Sequence, residues 1–173
     1  MNKGLEVIET RWLFDVKAEK IEVLIHPQSI VHSMVEFGDG SIMAQLGATD
    51  MRIPISYALA YPHRIPSGTN PLDLTGISSL SFDKPDVTKF PLLKAAYDAL
   101  SGDENVCPLI LNAADEVAVD MFLKGKIAFN LIPRICLDAL DSIQCRRLES
   151  LEDIELFHDE VRRVVGSKWD KPS

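Results

Sequence analysis

The chain has 173 residues, of which 46% are hydrophobic and 25% charged, and a formal net charge of -8. That length holds one ordinary domain or two small ones with a real core, and the composition is that of a soluble globular protein rather than a disordered one. The acidity argues against a nucleic-acid partner, whose affinity is built on Lys and Arg neutralising phosphates; charges throughout residues 2–15 and the lack of any apolar run near ~20 residues argue against a signal peptide and a membrane span.

Taken in chain order, Leu5, Ile8, Trp12 and Leu13 recur at helical spacing, so residues 4–15 read as an amphipathic helix. Asn2, Lys3 and Glu6 lie four and three residues apart, and a helix beginning near residue 2 points all three the same way. A polar substrate or a metal-bound anion suits such a cluster. The plainer reading is an N-cap Asn, an acid complementing the helix dipole and a solvated Lys. Residues 21–26 are strand-like. Ser29 to Phe37 and Ser41 to Leu46 form a hairpin around Gly38-Asp39-Gly40. Met51 to Tyr61 starts a helix only if Pro54 lies in its first turn.

Residues 62–89 read as an extended linker, with Pro62, Pro66, Pro71 and Pro85 among Ser67, Gly68, Asn70 and Gly76. Leu80-Ser81-Phe82 is a candidate edge strand within it. Four amphipathic helices follow: Phe90 to Leu100 before Ser101-Gly102, Pro108 to Lys124 before Gly125, Ile132 to Ile143, and one opened by Ser150 and Asp153 as a capping box. Their stripes argue for a helical bundle. The expected fold is α+β, with a small mostly antiparallel sheet, a long linker and a C-terminal bundle. The expected divisions are 1–61, 62–89 and 90–173, with a boundary near residue 85.

The three cysteines, Cys107, Cys136 and Cys145, have no metal-like spacing and fit a reducing cytoplasm. Cys136 falls in an apolar stripe. His26 and His32 share a strand face but lie about 20 Å apart on a continuous strand, too far for one ion, so structural hydrogen bonding is expected of both. His63 and His158 are expected at the surface.

Several blocks occur together: Asn2-Lys3-Gly4-Leu5-Glu6, His26-Pro27-Gln28-Ser29, Ala44-Gln45-Leu46-Gly47, Asp50-Met51-Arg52, Ala58-Leu59-Ala60-Tyr61-Pro62 and Leu111-Asn112-Ala113-Ala114-Asp115-Glu116. In this order they resemble the 1-deoxy-D-xylulose 5-phosphate reductoisomerases of non-mevalonate isoprenoid biosynthesis. The resemblance implies NADPH-dependent rearrangement and reduction of a sugar phosphate to 2-C-methyl-D-erythritol 4-phosphate with a divalent Mg or Mn ion. It implies Glu6 as a metal ligand, Asn2 and Lys3 as substrate-binding residues with Lys3 beside developing oxyanion charge, and Met51 as an apolar wall near substrate and nicotinamide. It also implies a homodimer and a structural role for residues 112–116. The family usually has Pro where Thr49 stands and Asn where Asp115 stands.

No Gly-x-Gly-x-x-Gly occurs, and the blocks begin inside the family's catalytic domain. The expectation is therefore a C-terminal portion without the N-terminal NADPH-binding domain, inactive alone. Two other readings remain open: a non-catalytic association module, and a metal hydrolase using His26, His32 and Glu6.

Overall fold

The computed structural model describes residues 1–101, 106–144 and 146–169; Gly102 and Cys145 lie outside the described residues. The chain forms two compact units, Met1–Val23 with Pro85–Ser173, and Leu24–Lys84. These differ from the expected divisions, because α1 (Asn2–Leu13) packs on α3 (Pro91–Ser101).

In the first unit, α1 is followed by a 3-10 turn at Ala18–Lys20. The bundle comprises α3, α4 (Cys107–Leu123), α5 (Leu131–Ser142) and α6 (Leu151–Trp169). Pro108 sits in the first turn of α4, where its missing N–H costs nothing. Gly125 closes that helix with φ 70°, and Gly125 N and Lys126 N donate to the carbonyls of Phe122 and Met121. The Ser150–Asp153 capping box forms in both directions: Asp153 N donates to Ser150 Oγ at 3.1 Å, and Ser150 N to Asp153 Oδ2 at 3.0 Å.

The core gathers Ile110, Leu111, Ala114, Ile135, Phe157 and Val161 from α4, α5 and α6. Burying each larger member contributes about 1.5–3 kcal/mol. A second cluster, Val7, Ala18, Leu93 and Leu100, joins α1 to α3, and Tyr97 Oη donates to the Ile21 carbonyl at 2.9 Å. α4 is covered on more than one side. Leu111 and Ala113 are buried as well as Ile110 and Ala118, because α3, α5 and α6 all pack on this helix.

In the second unit, β1 (Val31–Glu36) pairs antiparallel with β2 (Ile42–Leu46), with a register irregularity between Val31 and Ser33. Gly40, at φ 82°, completes the turn, and Asp39 Oδ1 accepts from Ser41 N and Oγ. Residues 21–26 are not a strand; only Ile25 makes a bridge, exchanging hydrogen bonds with Asp83. A ladder needs a partner of matching length, and the 80–83 segment offers a single pairing residue. α2 (Arg52–Ala60) carries Pro54 in its first turn, and a 3-10 turn spans Leu74–Gly76. Residues 62–84 are otherwise irregular, held by local turns such as Asp73 with Thr75.

Candidate functional site

Asn2, Lys3 and Glu6 come together on one side of α1. Asn2 Nδ2 donates to Glu6 Oε1 at 2.7 Å and Lys3 Nζ to Glu6 Oε2 at 2.6 Å, so both carboxylate oxygens are held. Asn2 lies inside the helix and makes no cap; the N-cap position is Met1. Gly4 and Val7 of the same helix are buried. The Lys3 and Glu6 side chains remain 62% and 45% exposed, so the pair is worth about 0–1 kcal/mol and is easily exchanged for an incoming ligand.

A carboxylate is a suitable oxygen donor for a hard divalent cation. Among the described residues no group of three His, Cys, Asp or Glu side chains stands together as a metal site. Glu6 thus fits such an ion as one ligand of a set, not as the set itself.

His26 and His32 are each engaged by a backbone carbonyl. His26 Nδ1 donates to Ser81 O at 2.8 Å, and its ring stacks on Phe82 with centroids 4.6 Å apart. His26 Nε2 is buried with no partner. His32 Nε2 donates to Gly47 O at 3.2 Å. Gln28 braces the same strap, donating to Ser81 Oγ and accepting from Ser81 N.

Met51 stands at the start of α2 in the second unit and is 71% exposed. Its neighbours Asp50 and Arg52 form a multiply bonded pair, with Arg52 Nη2 to Asp50 Oδ2 at 2.6 Å and Arg52 N to Asp50 Oδ1 at 2.9 Å. Those bonds from Arg52 hold the Asp50 carboxyl down at about 2. Thr49 keeps this loop tied, since its hydroxyl donates to Ser29 O at 2.9 Å.

Residues 112–116 build helix contacts. Glu116 accepts from Asn112 at 2.9 Å and from Arg162 of α6. His158 is half-buried rather than on the open surface, with Nε2 3.5 Å from Glu116 Oε1, because α6 turns it toward α4. Asp115 faces Cys136 of α5, whose thiol lies 3.9 Å away. Burial raises the Asp115 carboxyl above its ordinary value and pushes the Cys136 thiol up to about 12, which makes that thiol inert. These cross-helix pairs had no signal in the sequence, since their partners lie 21 and 46 positions apart.

Residues 46–164 match the family described as DXP reductoisomerase C-terminal domain. A 1-deoxy-D-xylulose 5-phosphate reductoisomerase from Geobacter metallireducens is 58% identical over 170 residues, covering 96% of this chain and 44% of that protein. One from Nitrosomonas eutropha is 53% identical over 169 residues, covering 98% and 40%. Among solved structures, the Zymomonas mobilis enzyme in complex with NADPH superimposes with a TM-score of 0.90 at 42% identity, over 99% of this chain and 45% of that one. A DOX-P reductoisomerase in complex with NADPH, fosmidomycin and magnesium gives 0.90 at 44% identity, over 98% and 43%. The chain thus spans less than half the length of these relatives. With its helical bundle and hairpin unit matched along nearly their whole length, the chain belongs to the DXP reductoisomerase family.

Proposed function

We propose that this chain supplies the substrate-holding helix and bundle of an enzyme that rearranges and reduces 1-deoxy-D-xylulose 5-phosphate to 2-C-methyl-D-erythritol 4-phosphate. The observation that carries the reading is the Asn2–Lys3–Glu6 cluster, in a chain more than half identical to proteins of that name. Glu6 is one oxygen ligand of a Mg or Mn ion. Asn2 and Lys3 leave its carboxylate to bind substrate hydroxyl and phosphate-end oxygens. Lys3 then places positive charge where oxyanion character develops. A divalent ion, when bound, holds the substrate's oxygens and polarises its carbonyl. Met51 adds an apolar wall beside substrate and nicotinamide. The remaining NADPH contacts are not assigned to these residues, which carry no glycine-rich phosphate-binding turn.

The test is NADPH oxidation dependent on the sugar phosphate and Mg. The chain alone is expected to be silent. Joined behind the N-terminal part of the Geobacter relative, it is expected to turn over, and Glu6→Gln should raise the metal concentration needed while leaving NADPH binding unchanged. An extended chain that folds and binds NADPH, yet oxidises it no faster with substrate, would sink the reading.

A second proposal concerns association. All residues of β2 are exposed, Val35 of β1 and Met43 of β2 stand 58% and 67% exposed, and among the described residues the sheet has only these two strands, so its outer edges are unpaired. The chain therefore forms a homodimer through this hairpin, and a monodisperse monomer at micromolar concentration in sedimentation would count against it. No helix among the described residues is long and apolar enough to cross a membrane. The odd count of three cysteines, without metal-like spacing, favours a cytoplasmic setting. The hydrolase reading is not supported, since among the described residues His26, His32 and Glu6 form no group of metal-ligating side chains.

A further inference from the structure

Gly4 lies inside α1, where glycine costs about 1 kcal/mol relative to alanine, so its presence there has to be repaid by geometry. A Cβ at that position would meet Ala96 Cβ at 2.9 Å and the Leu92 carbonyl oxygen at 3.1 Å, both on α3. Neither neighbour can turn aside: one is a methyl with no rotamer, the other backbone. Carbon atoms rest about 3.5–4.0 Å apart, so a Cβ would push α1 away by roughly 0.6–1 Å. Asn2, Lys3 and Glu6 lie in the same first turns of α1 and are hydrogen-bonded to one another, so the whole cluster moves with the helix.

We propose that Gly4 is a positioning residue: by letting α1 seat directly on Ala96 and Leu92, it sets where the bundle holds the Asn2–Lys3–Glu6 cluster. This rests on the function proposed above, because it concerns the placement of that cluster toward metal and substrate. The first measurement uses the chain alone, as a thermal-melt cycle of Gly4→Ala, Ala96→Gly and the double variant. Gly4→Ala is expected to lower the melting temperature, and the double variant to melt above the sum of the single losses, because Ala96→Gly vacates the closest contact. Additive losses would overturn the contact.

The second measurement uses the chain extended with the Geobacter N-terminal part and reads Mn binding by electron spin resonance together with substrate KM and kcat. A misplacement near 1 Å costs about 100-fold at worst, so Gly4→Ala is expected to weaken Mn binding and kcat/KM by about tenfold or more, with partial recovery in the double variant. If Gly4→Ala melts lower but binds Mn and substrate as the parent does, Gly4 only packs and the positioning role is wrong. If the unaltered extended chain binds no Mn and shows no turnover, it is the proposed function that fails, and the positioning role falls with it.

Discussion

The two compact units reach order by different means. In the unit of Met1–Val23 with Pro85–Ser173, helices close over Ile110, Leu111, Ile135, Phe157 and Val161. In Leu24–Lys84, no described residue is buried, and order rests on the hairpin ladder and on side-chain bonds such as Gln28–Ser81, Asp50–Arg52 and Thr49–Ser29. Apolar burial is additive and non-directional, so a helical bundle gains stability from every layer. Exposed hydrogen bonds net little against water, so the second unit opens more readily.

The largest expected effect lies in the bundle. Ile110→Ala empties a fully buried site between α4 and its neighbours and should cost about 2–5 kcal/mol in a urea melt. A loss below 1 kcal/mol would mean that the bundle is loosely packed and the contrast is false.

Next is Gln28→Ala, which removes the brace between residues 28 and 81 and should cost about 0.5–1.5 kcal/mol locally. Amide exchange at Ile25 and Asp83, which pair across the same strap, should quicken while exchange in α4 stays unchanged. Equal quickening in both places would show that the units open together.

The pH responses should run in opposite directions. Burial raises the folded Asp115 carboxyl, so its contribution is fully present below the unfolded value of about 4 and is lost as pH rises through the folded value. Asp115→Asn should therefore raise the melting temperature near neutral pH and not in acid. Asp50, held down at about 2 by Arg52, contributes above the unfolded value and loses that contribution as pH falls toward about 2. Asp50→Asn should then flatten acid-induced opening of the 24–84 unit. Because Arg52, the partner that holds Asp50 down, is 61% exposed to screening solvent, this effect is the weaker of the two. Melts of both variants across the acid range check the signs. The smallest effect is expected from Val35→Thr on the open hairpin, within about 0.5 kcal/mol in the monomer. A larger loss that grows with protein concentration would instead favour the proposed dimer.

Sequence alone determined what depends on near neighbours. The hairpin turn at residues 38–40, the Ser150–Asp153 box, the stop at Gly125 and Pro54 in a first turn all rest on residues within four positions of one another. So does the Asn2–Lys3–Glu6 cluster, which needs only a helix starting at residue 2. Tertiary structure decided the rest. An apolar stripe announces that something covers it but not what, so the docking of α1 on α3 was illegible, and with it the reason for Gly4. The strand expected at residues 21–26 dwindled to one bridge because pairing requires a partner, and β-branched residues do not provide it. Glu116 with Arg162, Asp115 with Cys136, and His158 turned toward Glu116 are meetings of distant residues, made by the packing of whole helices rather than by any spacing along the chain.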